Sequence, residues 1–174
     1  MTEADQQALS LLLDEIACRR VLSRYSGALD WRDAETLASI VWPDAEIDYG
    51  FFKGTGQEWV GVFVEIEKAA GRPFHLMVCE RIAVNGNLAE AESLGIALTL
   101  ETAEDGKPAA RQYWGRYLDQ LEKRGQEWRI RRRKYVVHGV FDVAIPPHGT
   151  ALFSTMHVAA DLRADDPQNR RFRR

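Results

Sequence analysis

Three side chains in the sequence have the types that acid–base chemistry on carbon requires: Asp30, Tyr49 and His75. Histidine titrates nearest to neutral pH, and a carboxylate bound to one ring nitrogen orients the ring and stabilises its charged form. His75 is therefore a candidate general base, and Asp30 is its candidate partner. Tyr49 is a candidate hydrogen-bond donor to a substrate oxygen. Asp30 and His75 lie far apart in the chain, so only folding can bring them together.

Each of these residues also has a purely structural interpretation. His75 lies in "PFHLMVCE", where both alternating faces are apolar, and a core histidine there could be satisfied by a backbone carbonyl. Asp30 lies where two helical patterns meet, the position of a helix cap or turn acid. Tyr49, in "EIDYG", could be an ordinary half-buried strand tyrosine. The residues alone leave both interpretations open.

The strongest local charge signal is "RIRRRKY", residues 129–135. Nucleic-acid binding requires basic residues on one continuous face, whereas these alternate over both faces of a strand. We interpret the run as a solvated edge or a subunit contact paired with acids, in which one arginine could point into a pocket and bind a carboxylate or phenolate. The sequence therefore predicts no nucleic-acid partner.

Cofactor and metal motifs are missing from the sequence. No two of its four histidines (His75, His138, His148 and His157) share a metal-ligand spacing, and no Cys/His cluster exists. There is no glycine-rich phosphate loop and no GxSxG elbow. We therefore expect neither a metal nor a cofactor.

Composition indicates a single globular domain. The chain has 174 residues, of which 45% are hydrophobic and 28% charged, with a formal net charge of -3. Cys18 and Cys79 form no disulfide framework, the N-terminus does not resemble a signal peptide, and no apolar run approaches the roughly 20 residues that span a bilayer. These features predict a cytoplasmic protein without a membrane partner.

Periodicity predicts three helices that position the candidate residues. The first extends to about residue 29, and the second begins at the N-cap Asp33 and is ended by Pro43. A short strand follows in "AEIDYGFF". The third helix is "TGQEWVGVFVEIEKAAGRP", with one face formed by Trp59, Val62, Phe63 and Ile66.

The second half of the chain predicts strands. They are "FHLMVCERIAV", "LAEAESLGIALTLET", "RQYWGRYLDQLEKR" and "EWRIRRRKYVVHGVF", separated by turns at "NGN", "AEDGKP" and Gly125. Helices followed by antiparallel strands predict an α+β fold in which a curved antiparallel sheet wraps around the N-terminal helices as a cone with one pocket. We assign residues 1–145 to this domain and residues 146–174 to a C-terminal arm, partly flexible or intersubunit.

The order of these elements resembles a known family. "LDWRDAETLASIVWPDAEIDYGFFKG", followed by "PFHLMV", is similar to the SnoaL-like branch of the nuclear-transport-factor-2-like superfamily, and within it to scytalone dehydratase and hexachlorocyclohexane dehydrochlorinase. The resemblance spans roughly residues 8 to 140, and Asp30, Tyr49 and His75 fall on the matching positions. The chain departs from scytalone dehydratase in "AESLGIALTLE", where a second histidine is absent.

The resemblance implies cofactor-free elimination, a homotrimer or homodimer, and a small hydrophobic substrate. His75 would take a proton from carbon, and Asp30 would hold the His75 ring in place. Tyr49 would assist the oxygen of the substrate or leaving group. Tyr113, Tyr117, Arg111 and Arg116 are the further candidate substrate contacts. Our first hypothesis is a lyase that removes water, or formaldehyde, from an aromatic or polycyclic compound, as in the catabolism of aromatic compounds. The alternatives are an isomerase or cyclase of a polyketide- or steroid-like substrate, a non-catalytic binding module, and a structural dioxygenase subunit.

Overall fold

The computed structural model describes residues 1–69, 74–102, 106 and 108–143. Its elements follow one another as α1 (Glu3–Asp30), α2 (Ala34–Ile40), β1 (Val41–Asp48), β2 (Lys53–Thr55), α3 (Gly56–Ala69), β3 (Phe74–Asn85), β4 (Leu88–Thr102), β5 (Pro108–Arg124) and β6 (Glu127–Val143). The predicted α+β class is confirmed. The proposed arm, residues 146–174, lies outside the described residues, as does most of the "AEDGKP" turn.

The long helix α1 ends where its backbone turns sharply. The amides of Arg32 and Asp33 donate to the carbonyls of Leu29 and Ala28 at 2.9 and 2.8 Å, and Arg32 has a φ of 53°. This pair of hydrogen bonds, with a left-handed residue just past the helix, is a Schellman motif. It fixes Asp30 as the last helical residue and so determines where its carboxylate points.

Only the second half of α1 is buried. Leu22, Tyr25 and Leu29 lie in the core, whereas Leu9 and Leu12 are exposed. The helix itself is as predicted. None of the helices in the described part of the chain is both long and apolar enough to cross a membrane.

The second helix ends earlier than the sequence predicted. Asp33 is its N-cap, because one carboxylate oxygen accepts from the amide of Thr36 at 3.0 Å. The helix stops at Ile40, however, and Pro43 lies inside β1 rather than at the helix end. The pairing of β1 with β6 is irregular between Val41 and Glu46, which accommodates a proline that has no amide to donate.

The buried face of α3 differs from the predicted one. Trp59 and Phe63 are buried as expected, but Val62 and Ile66 are 39% and 38% exposed. Their place is taken by Glu67, which is only 5% exposed and continues the four-residue spacing of the two aromatic residues. A carboxyl group therefore enters the core from this helix.

The sheet has six strands in the described part of the chain, in the order β2-β1-β6-β5-β4-β3. Strands β3 to β6 form antiparallel hairpins, with the expected turns at Gly86 and Gly125, where φ is 60° and 65°. The sheet is open and curved. The sequence predicted an antiparallel sheet, but one pair differs, because β1 runs parallel to β6.

The two faces of the sheet differ in what covers them. The inner face packs on the helices and carries Met77, Tyr117 and Leu121 in or against the core. The outer face has apolar side chains that remain exposed, among them Phe74, Leu76, Val78, Trp114, Leu118 and Phe141.

Candidate active site

The structure brings Asp30 and His75 into direct contact. Asp30 Oδ1 lies 2.8 Å from His75 Nδ1, and Asp30 Oδ2 accepts a hydrogen bond from the backbone amide of His75 at 3.3 Å. Both carboxylate oxygens are thus used by one residue, which fixes the ring relative to helix α1. This is the arrangement that orients a histidine for proton transfer.

The structural interpretations of both residues are not what the structure shows. Asp33, not Asp30, caps α2. The partner of the His75 ring is a carboxylate, not a backbone carbonyl. Asp30 also ends a helix that has no basic residue in its last turn, although a carboxylate is disfavoured at the negative end of a helix dipole. Its position is explained by the histidine.

The opposite ring nitrogen of His75 faces Glu67. Glu67 Oε1 lies 3.7 Å from His75 Nε2, and both side chains are 7% exposed. Burial raises the pKa of the Glu67 carboxyl, an effect to which the charge of Asp30 adds and which His75 and Arg32 oppose. Glu67 is not among the residues predicted for the site. The only sign in the sequence that it faces the core is its four-residue spacing from Trp59 and Phe63.

A pH effect on stability follows from this burial. Below the ordinary carboxyl value of 4.5, Glu67 is protonated in both folded and unfolded chains. As the pH rises above that value, the unfolded chain releases the proton first, so the folded state loses stability until the raised pKa is passed. We expect urea denaturation across this range to show a falling free energy of unfolding, by at most about 1.4 kcal/mol per pH unit. Glu67→Gln should remove the fall, and Glu65→Gln, on the exposed side of α3, should retain it.

Tyr49 lies next to the Asp30–His75 pair inside an aromatic cluster that is formed by Tyr25, Tyr49, Trp59, Phe63, Tyr117 and Tyr135. Its hydroxyl is 2.9 Å from that of Tyr25, whose ring centroid is 6.4 Å from that of His75. Burial raises the pKa of the Tyr49 phenol, so this hydroxyl stays protonated and can donate. Tyr25 therefore contacts both Tyr49, through its hydroxyl, and His75, through its ring.

A buried ion pair packs against the aromatic cluster. Arg133 donates to both carboxylate oxygens of Asp119 at 2.7 Å, and both side chains are 0% exposed. The guanidinium carbon lies 4.2 Å from the ring centroid of Tyr25 and 4.9 Å from that of Tyr117. Arg133 also acts on the Tyr49 hydroxyl through its charge and a side-chain hydrogen bond, although its Nη1 has no acceptor in full hydrogen-bond geometry among the described residues. Of the basic run, this arginine points inward, whereas Arg131, Arg132 and Lys134 are exposed.

Comparison with known proteins identifies the family of this fold. The sequence model of the SnoaL-like domain matches residues 10–134. The chain belongs to this SnoaL-like family, within the nuclear-transport-factor-2-like superfamily. None of the curated proteins matches the sequence.

Solved structures resemble this SnoaL-like chain over most of its length. A protein provisionally named scytalone dehydratase, from Novosphingobium aromaticivorans, is 25% identical, with 80% of this chain and 96% of that one covered and a TM-score of 0.67. The hexachlorocyclohexane dehydrochlorinase LinA-type3 from Novosphingobium barchaimii is 20% identical, with 80% and 99% covered and a TM-score of 0.70. An NTF2-like protein with a cystatin-like fold from N. aromaticivorans is 21% identical, with 87% and 94% covered and a TM-score of 0.64.

The predicted substrate contacts of the SnoaL-like chain divide between the two faces of β5. Alternation places Tyr113 and Arg111 on the same face as the buried Tyr117, and Arg111 pairs with Asp142 at 3.1 Å. Arg116 lies on the outer face, where it pairs with Glu92. The expectation that Arg116 contacts the substrate is therefore corrected, since it lies on the opposite face of the sheet from His75.

The described part of this SnoaL-like chain has no group of three or more His, Cys, Asp or Glu side chains that could hold a metal ion. His138 is exposed near Arg116, and His148 and His157 lie outside the described residues.

The double contact of Asp30 gives a prediction that NMR can test. Asp30→Asn leaves one acceptor where the carboxylate has two. Either its oxygen keeps the ring Nδ1–H and the His75 amide loses its acceptor, or its oxygen keeps the amide and its NH₂ group donates to Nδ1, which requires the Nε2–H tautomer. We expect the ring ¹⁵N signals to show a mixture of tautomers, or the His75 amide to exchange faster with solvent. Unchanged ring signals together with an unchanged exchange rate would show that the two residues do not meet.

Proposed function

We propose that this chain is a cofactor-independent lyase that eliminates water, or a comparable small group, from a small hydrophobic aromatic or polycyclic substrate. The observation that carries the proposal is the Asp30–His75 hydrogen bond of 2.8 Å between two side chains that are 19% and 7% exposed. A histidine held by a carboxylate in a site with little water is suited to take a proton from carbon.

The chemistry begins with the tautomer of the base. With its Nδ1 proton bound to Asp30, His75 presents an unprotonated Nε2 to the substrate. As that nitrogen takes a proton, Asp30 stabilises the imidazolium. A positioned base of this kind typically contributes about 10²–10⁴-fold to the rate, and the rest of the barrier must fall through positioning and through donors to the developing oxyanion.

Two donors in the cluster can serve that oxyanion. The Tyr49 hydroxyl is neutral, buried and next to Tyr25. Arg133 lies beside that hydroxyl and acts on it, and its buried Nη1 has no acceptor in full hydrogen-bond geometry among the described residues, which is costly for a buried donor. A carbonyl or phenolate oxygen of the substrate would satisfy it. The surrounding rings of Tyr117 and Tyr135 favour an aromatic guest.

The neighbouring structures support elimination as the reaction class. A dehydratase removes water and a dehydrochlorinase removes hydrogen chloride, and both names occur among the similar structures. An isomerase or cyclase would use the same base but would return the proton to another carbon.

The test uses an aromatic β-hydroxy ketone, 3-hydroxy-1-phenylpropan-1-one, whose elimination product is phenyl vinyl ketone. We expect the protein to form this product at a rate well above that of the same concentration of free imidazole. A second probe, 5-nitrobenzisoxazole, reports proton removal from carbon without any need to protonate a leaving group. If the protein turns over neither compound, the proposal is contradicted, and a binding or assembly role is favoured.

We also propose a homotrimer or homodimer formed through the outer face of the sheet. Phe74, Leu76 and Trp114 are large, apolar and exposed there, as expected for an interface between subunits. Light scattering after gel filtration should give two or three chain masses for the wild type, and Leu76→Arg should reduce the mass to one chain. A monomeric wild type would contradict this assembly.

A further inference from the structure

The carboxyl group of Glu67 has no evident structural purpose. It projects from α3 into the core, where 5% of the residue is exposed. None of the described residues hydrogen-bonds Oε2, and Oε1 is 3.7 Å from His75 Nε2, which is too long for a hydrogen bond. An apolar side chain would fill the same space without the cost of burying a polar group.

Burial is the largest influence on the protonation of Glu67, and the charges around it come second. His75, Asp30 and Arg32 are the groups that act on it, and burial outweighs the two that favour its ionised form, so its pKa is raised. Arg32 is already engaged, because its Nε donates to the backbone carbonyl of Glu67 at 3.2 Å. The raised pKa favours the protonated form of Glu67, and its carboxyl group faces His75 Nε2 across 3.7 Å.

We propose that Glu67 is the general acid of the elimination, which donates its proton to a hydroxyl leaving group while His75 Nε2 takes the proton from carbon. This inference rests on the proposed function and adds to it the identity of the leaving group. A base and an acid on neighbouring atoms fit removal of both groups from one side of the substrate.

The step balances within the site. The C–H bond breaks and its proton goes to His75 Nε2, its electron pair forms the C=C bond, and the C–O bond breaks as Glu67 protonates the departing oxygen to give water. The site is left with an imidazolium facing a carboxylate across the 3.7 Å gap. Transfer of the Nε2 proton to Glu67, directly after a small approach or through one water, restores the starting state without any external acid.

The response to a change of leaving group shows whether Glu67 acts as a general acid or only as a positioning residue. Hydroxide leaves poorly unless it is protonated, whereas chloride leaves without a proton. A site with a built-in acid is therefore directed toward alcohols, that is, toward β-hydroxy carbonyl compounds.

The experiment compares two substrates that give the same product, phenyl vinyl ketone: 3-hydroxy-1-phenylpropan-1-one and 3-chloro-1-phenylpropan-1-one. Glu67→Gln keeps the volume but has no acidic proton. We expect it to lower kcat on the hydroxy ketone by about 10²-fold or more and to leave kcat on the chloro ketone unchanged. Glu65→Gln, on the exposed side of the same helix, is the matched control and should change neither.

The other outcomes overturn the inference in separable ways. Equal losses on both ketones would make Glu67 a positioning residue, and no loss on either would leave it without a role, while wild-type turnover would still support the proposed lyase. Infrared spectra give a readout without substrate: the wild type at neutral pH should show a carboxylic acid band that Glu67→Gln removes. A carboxylate band in its place would assign the resting proton to His75 and would also overturn the inference.

Discussion

Asp119→Ala should lower the free energy of unfolding by about 3–5 kcal/mol, the usual cost of breaking a buried ion pair by removing one partner. Arg133 would keep its charge, because an arginine cannot deprotonate in a protein. It would lose both of its 2.7 Å hydrogen bonds while remaining completely buried. Urea denaturation should show a lower midpoint with an unchanged m value.

Two controls test whether the loss of stability in Asp119→Ala comes from the burial of Arg133 or from the loss of the ion pair itself. Asp44→Ala removes a carboxylate that also binds an arginine, Arg124, through two hydrogen bonds, but this pair is exposed and should cost less than about 1 kcal/mol. The double replacement Asp119→Leu with Arg133→Met should recover most of the loss, since apolar residues of similar volume often substitute for buried pairs. An Asp119→Ala protein as stable as wild type would show that the pair is hydrated.

His75→Gln should lower kcat on 3-hydroxy-1-phenylpropan-1-one by about 10²–10⁴-fold, the range for loss of a positioned general base. KM should change little, because the interaction is lost mainly in the transition state. Glutamine keeps a side-chain donor for Asp30, so the contact with α1 can persist. The measurement is steady-state kinetics, with circular dichroism to verify that the variant is folded.

His138→Gln is the matched control for this replacement. His138 is exposed and lies near Arg116 on the outer face, so its loss should leave kcat unchanged. A His75→Gln variant that keeps wild-type turnover would remove His75 from the chemistry. A variant that fails to fold would favour the core-histidine interpretation, and the smaller change His75→Asn would then be measured for turnover.

The elements that carry Asp30 and His75 could be predicted from sequence because both residues belong to regular local patterns. Asp33 supplies a recognisable cap for α2, which leaves Asp30 at the preceding helix end. His75 falls on a strand whose alternation is regular. That the end of the first helix meets the start of the first long strand is implied by the resemblance to the SnoaL-like family, because the spacing of Asp30 and His75 in the chain does not determine it.

The rest of the site could not be predicted, because the residues involved break the rules by which sequences are interpreted. Glu67 is charged, and charged residues are assigned to solvent, so Val62 and Ile66 were placed inside instead. Arg133 was one of four arginines in a short run, and an irregularity in the pairing of β6 near Ile130 decides which of them points inward. Pro43 normally ends a helix, but irregular pairing lets it lie in a strand.

The hydrogen bond from the His75 amide to Asp30 has a consequence for solubility. Strand β3 is the last strand of the described sheet, and terminal strands with free amides can recruit strands from other molecules. Asp30 Oδ2 occupies one of these amides. The carboxylate that binds the His75 ring therefore also covers part of the edge of β3, and we expect Asp30→Ala, which has no acceptor for this amide, to aggregate more readily than wild type.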